Sequence, residues 1–164
     1  MTPLPKYIVS GSLTLPSTAS TVQIYGTLRD ALLTYTSPSA DTLNDYVGTR
    51  IWIRAAPERP TFPYITLRLD RVSQPGYNGY RETAVLEVQC VGKPDSQIAL
   101  VEGAMDIVDQ CLTALTANTS GFMACRSRTR QTVPQMTEPA DSSVVAVVGN
   151  YDLYLWPVVL TSRA

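Results

Sequence analysis

Two neighbouring segments in which apolar and polar residues alternate constrain the fold of this chain most strongly. The segment YITLRLDRV places Ile65, Leu67 and Leu69 on one side of an extended backbone. The segment RETAVLEVQCVG repeats the pattern at every second position from Ala84 to Cys90. The glycine-containing stretch SQPGYNGY separates them. Together they predict an antiparallel hairpin that buries one face and exposes the other.

Helical spacing is found on both sides of this hairpin. TVQIYGTLRDALLTY has apolar residues at nearly helical intervals, and SADTLNDYVG predicts one further helical turn. A longer apolar stripe runs through residues 93–121, KPDSQIALVEGAMDIVDQCLTALTANTSG, where Pro94 suits the first turn of a helix.

Three more segments have the character of strands. TRIWIRA precedes the hairpin, and FMACRSRTRQ and SSVVAVVGNYDLYLWPVV follow the long helix, with VPQMTEPAD (133–141) predicted as a loop between them. This order predicts an α+β fold of two layers. We expect a mainly antiparallel sheet of about five strands, with one long helix packed across it and a shorter N-terminal helix.

The length of 164 residues fits one domain with a proper core. Residues 1–20, rich in Pro, Ser and Thr, are predicted to be an arm that is flexible or docked on a neighbour, and 21–164 a single domain. The apolar run 144–148 is far shorter than the roughly 20 residues that a membrane-spanning helix needs, so no membrane partner is expected.

The residues that usually carry catalysis or bind metal are scarce. The chain has no histidine, no phosphate-binding glycine motif and no cysteine pair at metal-site spacing. Asp106 and Asp109 are interpreted as part of a solvated helix face, and Cys90, Cys111 and Cys125 as buried free thiols in a reducing cytoplasm. We therefore predict no catalytic, metal or cofactor site and no enzymatic activity.

Three arginines recur with period two in one predicted strand. If the strand is regular, Arg126, Arg128 and Arg130 form a row on a single face. The row fits a solvated edge that deters aggregation, a contact with carboxylates of a neighbouring copy, or a contact with DNA phosphates. The net charge of −1 gives no support for strong polyanion binding by the whole chain.

The predicted hairpin carries tyrosines at its tip. Asn78 and Gly79 suit a plain turn, but a turn does not explain Tyr77 and Tyr80. Exposed tyrosines are common in protein interfaces, so this loop is either a plain turn or a protein contact.

The order of these segments resembles that of phage tail terminator (tail-completion) proteins of long-tailed phages, from about Thr27 to Pro157. The segments that carry the resemblance are LRDALLTY, VGTRIWI, AAPERPTFPYITL, ETAVLEVQCVG, ALVEGAMDIVDQCLTAL and YDLYLW. The most telling fragment is the lead-in to the central strand, formed by Ala56, Pro57, Pro63 and Tyr64.

The resemblance implies a homo-hexameric ring without catalytic activity or cofactor. Such a ring caps the tail tube, ends tube polymerisation and joins the tail to the head-side connector or stopper protein. DNA passes through its lumen without sequence-specific binding. The resemblance also implies a place in the virion, at the tail neck, after assembly in the bacterial host cytoplasm.

Two alternatives to a tail terminator stay open at this stage. Another neck component, such as a head-completion or stopper protein, would share small size and ring symmetry. A single-strand nucleic-acid-binding module would use Tyr77, Tyr80 and Trp52 as stacking platforms, and the only basic residues offered near them are Arg50, Arg54 and Arg81.

Overall fold

A computed structural model describes residues 17–18, 20–72, 82–93, 96–115, 123–137, 142–155 and 157–158. The chain forms an α+β fold, as predicted. Its elements in chain order are β1 (Ser17–Thr18), α1 (Thr21–Thr34), a 3₁₀ helix (Leu43–Asp45), β2 (Ile51–Ile53), β3 (Tyr64–Val72), β4 (Glu82–Gly92), α2 (Ile98–Ala114), β5 (Met123–Thr137), β6 (Ser142–Leu155) and β7 (Pro157–Val158).

Five of these strands form one mixed sheet in the order β2-β3-β4-β6-β5. All neighbouring pairs are antiparallel except β2 and β3, which run parallel. β1 pairs with β7 in a separate antiparallel pair, so Ser17 and Thr18 are tied to the end of the same chain. The predicted arm otherwise lies outside the described residues, and its role stays a prediction.

The alternation of β3 and β4 buries one sheet face, as predicted. Arg68, Asp70 and Val85 are exposed on the other face. Both helices cover the buried face and belong to the same apolar cluster. The predicted stripe of α2 is buried there, at Val101, Ala104, Met105, Val108, Cys111, Leu112 and Leu115.

The long helix is shorter than the sequence predicted. It starts at Ile98 because a turn precedes it, in which Gln97 N–H donates to the Lys93 carbonyl over 3.1 Å. Pro94 is therefore not in its first turn and lies outside the described residues. The helix ends at Ala114 because Leu115 becomes extended, and the Leu115 carbonyl accepts a hydrogen bond from Cys125 N–H over 3.4 Å.

Strand β5 continues to Thr137, so the predicted loop over 133–141 is wrong for its first five residues. Pro134 suggested a loop because proline has no backbone N–H to donate. It is tolerated in β5 because β5 is an edge strand of the sheet and pairs with a neighbouring strand on one side. The β5–β6 hairpin also projects beyond β4, whose last residue Gly92 pairs with Val145.

Gly103 of α2 and Tyr46, which follows the 3₁₀ helix, lie so close together that there is no space for a side chain at position 103. A Cβ atom added to Gly103 would lie 2.3 Å from the Tyr46 ring. A Cβ added to Gly26 of α1 would meet nothing within 4 Å. The two helical glycines therefore occupy opposite environments.

We expect Gly103→Ala to lower the free energy of unfolding by about 1–3 kcal/mol, because overpacking displaces Tyr46. Gly26→Ala, the matched control, should raise the free energy of unfolding by about 0.5–1 kcal/mol, because alanine has a higher helix propensity than glycine at an exposed position. Urea denaturation followed by circular dichroism measures both. Stabilisation by Gly103→Ala would contradict the close approach.

All three cysteines are free thiols. Cys90 and Cys111 are buried as predicted, whereas Cys125 is partly exposed. Burial raises the pKa of Cys111 to about 12. At pH 8 that thiol is therefore protonated, and a protonated thiol is a poor nucleophile.

In a Cys125→Ser variant at pH 8, a thiol reagent should label the native protein at least about tenfold more slowly than the urea-unfolded protein. The reason is that only the two buried thiols remain. Absorbance of the released chromophore measures the rate. Rapid labelling of the native variant would show that Cys90 or Cys111 is accessible.

Candidate interaction surfaces

The base of the tyrosine-bearing hairpin is formed by the continuous pairing of β3 with β4. β3 and β4 pair at nine consecutive positions, from Tyr64↔Val91 to Val72↔Thr83. The predicted contact residues Tyr77, Asn78, Gly79 and Tyr80 belong to the loop 73–81, which lies outside the described residues. Their contact role therefore stays a prediction, but the structure shows where the loop is anchored.

A bidentate ion pair closes the base of the loop. Arg71 Nε and Nη2 donate to Glu82 Oε1 and Oε2 over 2.8 and 2.6 Å, and Arg71 Nη1 donates to Thr21 Oγ1 over 3.2 Å. The side chains of Arg71 and Glu82 are only 23% and 14% exposed. This charge-assisted pair joins both strands of the hairpin to the start of α1.

Several chain segments meet at this end of the sheet. Glu82 pairs with Leu155, and Leu155 pairs with Met123 at the start of β5. Strand β7, which pairs with β1, begins at Pro157, two residues after Leu155. We call this end, defined by Val72, Glu82, Leu155 and Met123, the loop end of the sheet. It brings together the loop 73–81, the β1–β7 pair and the C-terminal end of α2.

Glu82→Gln should lower the free energy of unfolding by about 1–3 kcal/mol, because it leaves the half-buried Arg71 guanidinium without its full partner. Asp70→Asn is the matched control, since Asp70 is exposed on the neighbouring strand. It should change stability by less than about 0.5 kcal/mol. Equal urea midpoints for the two variants would show that the ion pair contributes nothing.

The predicted strand lead-in lies at the opposite end of the sheet and has a structural role. Pro63 is buried, and its carbonyl accepts a hydrogen bond from Arg50 Nε over 2.8 Å. Tyr64 packs against Phe62, with 5.4 Å between ring centroids. Ala56 is half-buried and Pro57 exposed.

Behind this lead-in is a second small cluster on the sheet face away from the helices. Its buried residues are Val91, Val144 and Ala146, and Phe62 and Tyr64 pack against them. Lys93 Nζ lies 4.6 Å from the centroid of the Phe62 ring. Phe62 and Tyr64 therefore cover this part of the sheet.

The predicted arginine row is interrupted by a β-bulge. Cys125 pairs with Leu153 and Ser127 pairs with Asp152, so Arg126 falls at the irregularity. Beyond it, Arg128 and Arg130 occupy regular positions in the ladder. A single row requires an unbroken strand, so the three arginines do not share one strand period. Their side chains are outside the described residues, and the interface role stays a prediction.

Most of the backbone N–H and C=O groups on the outer side of β2 form hydrogen bonds with other residues of the chain. The Ile51 carbonyl accepts from Arg29 Nε over 3.4 Å, and Ile51 N–H donates to the Thr49 carbonyl over 2.8 Å. The Ile53 carbonyl accepts from Ala55 N–H over 2.9 Å. Sequence patterns did not predict this closure. It disfavours β2 as a site where another strand adds to the sheet.

Apolar side chains are nevertheless exposed along β2. Trp52 is 39% exposed and Ile53 is 41% exposed. Their neighbour Arg54 is also exposed. This edge therefore offers side chains, rather than backbone hydrogen bonds, to a partner.

Two adjoining grooves lie where the C-terminal ends of α1 and α2 approach each other. Their volumes are about 370 and 520 Å³, and Tyr35 and Ala114 line both. Among the described residues that line them, the titratable side chains are the Tyr35 phenol and the Cys111 thiol. Neither groove pairs a nucleophile with a base.

The acidic residues of α2 are not all solvated, which corrects one expectation. Asp106 is exposed as predicted, but Asp109 is half-buried and accepts a hydrogen bond from the hydroxyl of the buried Tyr151. Among the described residues, no group of three or more His, Cys, Asp or Glu side chains is arranged to hold a metal ion. No helix in this part of the chain has the length and apolarity to cross a membrane.

Comparisons with known proteins give little to set beside this geometry. No family model matches the chain, and no curated protein matches it. Among solved structures, it is similar to a chain described as "Virion of native gene transfer agent (GTA) particle", with 18% identity and a TM-score of 0.47. That match covers 80% of this chain and 97% of the other. A likeness this distant carries no argument about function.

Proposed function

We propose that this chain is a structural virion protein of long-tailed phage type, acting as a tail terminator. Six copies form a ring that caps the tail tube, ends its polymerisation and joins the tail to the head-side connector or stopper protein. DNA passes through the lumen without being read. The ring belongs to the tail neck and is assembled in the cytoplasm of the bacterial host.

The observation that carries the proposal is the anchored hairpin. The loop 73–81 leaves a ladder of nine paired positions and is closed at its base by Arg71 and Glu82. Because this base fixes where the loop leaves the sheet, we expect Tyr77 and Tyr80 to meet the tube or the connector at the loop end of the molecule. The segments that carry the family resemblance surround this hairpin in the expected order.

Ring closure requires two different surfaces on each copy, so that successive copies join head to tail around a rotation axis. The two edges of the sheet supply unlike surfaces. β2 offers Trp52, Ile53 and Arg54, with its backbone groups largely occupied. β5 is the other edge and carries the bulge and Pro134. This asymmetry favours a heterologous contact over a two-fold one.

Electron microscopy of tail tubes mixed with the protein tests the proposal. We expect a six-fold ring at one end of each tube and no further growth when tube subunits are added. Without the protein, tubes should grow overlong. Tails of normal length that fail to join heads would instead identify a stopper or head-completion protein.

A Tyr77→Ala, Tyr80→Ala double variant should keep the urea midpoint of the wild type and cap tubes poorly, giving a longer distribution of tube lengths. The aromatic side chains are proposed to make the contact, while the fold depends on the ladder below them. Val22→Ala is the matched control, because Val22 is 80% exposed on α1 and outside the loop. Normal tube lengths with the double variant would refute the contact role.

The nucleic-acid alternative has few cations beside its proposed stacking residues. Arg50 Nε donates to the Pro63 carbonyl, which orients its guanidinium towards the strand lead-in. Trp52 and Arg54 are exposed, and Arg81 lies outside the described residues; three arginines are few for strong affinity to a polyanion. A salt-dependent shift with single-stranded DNA would restore this alternative.

A further inference from the structure

Strand β3 extends beyond the strand that pairs with its outer side. β2 has three residues and pairs only with residues 65–67 of the nine-residue β3. Residues 69–72 therefore have no neighbouring strand on that side in the described part of the chain. Unpaired backbone groups at the edge of a sheet are the usual place where a further strand adds to it.

The register identifies which backbone groups face this open side. The Ile65 N–H and the Leu67 carbonyl both form hydrogen bonds with residues that flank β2, over 2.9 and 2.8 Å. Successive residues of a strand direct their backbone groups to opposite sides, so those of Leu69 and Arg71 also face outward. A strand added at this edge would form hydrogen bonds with these two residues.

One flank of α1 takes the place of the missing strand. It consists of residues that are four apart in the helix and therefore lie on one side of it: Thr21, Tyr25 and Arg29. We call these three residues the sealing flank. At its centre, the hydroxyl oxygen of Tyr25 accepts a hydrogen bond from Leu69 N–H over 2.7 Å. Tyr25 is only 4% exposed, so this backbone N–H is satisfied away from water.

The two ends of the sealing flank bind the same edge. Arg71, which forms the ion pair with Glu82, also donates from Nη1 to Thr21 Oγ1 over 3.2 Å. At the other end, Arg29 Nε donates to the Ile51 carbonyl of β2 over 3.4 Å. α1 therefore follows the outer edge of the sheet from residue 71 back to β2.

The start of α1 is held in place by its own cap and by the core. Gln23 N–H donates to Ser20 Oγ over 3.2 Å, and Ser20 N–H donates to Gln23 Oε1 over 2.9 Å. Ile24 and Leu28, next to the sealing flank, are fully buried in the main apolar cluster. These contacts oppose fraying of the first turns of α1, which would expose the Leu69 N–H.

We propose that the sealing flank covers a strand-addition site at residues 69–72, and that a second copy of the chain pairs a strand there when the cover is removed. The second copy can supply β5, which is an edge strand and pairs with β6 alone. Between its bulge and Pro134 the register of β5 is regular. The cover is a property of the free chain and does not depend on the proposed ring.

Amide hydrogen exchange of a Tyr25→Phe variant tests the cover. Phenylalanine keeps the ring and removes the acceptor, so the Leu69 amide should exchange at least about tenfold faster relative to the Leu86 amide of the central strand β4. The ratio of the two rates removes the effect of a change in global stability. Tyr35→Phe, the same change at the other end of α1, is the matched control and should leave the ratio as in the wild type. An unchanged ratio in Tyr25→Phe would overturn the cover.

A Thr21→Val, Tyr25→Phe, Arg29→Met triple variant tests the occupant, because it removes all three polar contacts and keeps similar side-chain volumes. In analytical ultracentrifugation of the free protein, its average mass should rise with concentration above that of the wild type and of Tyr35→Phe. The Leu69 amide should regain protection over the same concentration range. If the triple variant does not fold, the same two measurements are made on Tyr25→Phe.

Two results would contradict the second copy as the occupant. One is a mass equal to that of the wild type at every concentration, and the other is a rise in mass without renewed protection of the Leu69 amide. Failure of the wild-type protein to form a ring on tail tubes would count against the proposed function alone, because exchange and mass are compared in the free chain.

Discussion

The one-sided burial of the central sheet is the constraint on which the rest of the molecule depends. β3 and β4 place every second side chain beneath α1 and α2, and β6 continues the same surface through Tyr151, Leu153 and Leu155. Because both helices lie on this face, the opposite face is left without a helix in the described part of the chain. Along β3 and β4 this face is polar at its centre, where Arg68 lies opposite Glu87 in the ladder. It is apolar at the exposed Val85 and where the proline-containing lead-in covers it.

This arrangement limits how copies of the chain can meet. The edge at β2 is closed by hydrogen bonds that Arg29 and Ala55 donate to it and that the Thr49 carbonyl accepts from it, so it offers side chains to a partner. The edge at β5 is longer, but a bulge and a proline interrupt it. These are devices by which edge strands avoid indiscriminate pairing. In the proposed ring, specific contacts are therefore expected from side chains at the edges and from the loop end of the sheet.

Much of this fold could be predicted from the sequence, because periodicity is a local property. The alternation around Leu67 and Leu86 and the stripe of α2 gave the sheet face and the helix face correctly. Positions that depend on distant partners were not predictable. The helical position of Asp109 predicts a solvated side chain, but the fold places the Tyr151 hydroxyl against it. Pro134 predicts a loop, but a proline is compatible with an edge strand such as β5.

The candidate surfaces were predicted less well than the fold, for the same reason. The two-residue period of a regular strand predicts a row of three arginines. The bulge at Arg126 depends instead on how β5 aligns with β6, which is not a local property of the sequence. The closure of β2 depends on Arg29, which is 22 residues away in the chain. The loop with Tyr77 and Tyr80 was identified by residue type, and the structure adds the ion pair that anchors it.

The end of the β5–β6 hairpin that projects past Gly92 has a mechanical consequence. Over this stretch Gln135, Met136 and Thr137 pair only with β6, so the ribbon is two strands wide. Two-stranded ribbons twist more readily than wider sheets. This ribbon can therefore bend and twist more easily than the part of the sheet beneath α1 and α2.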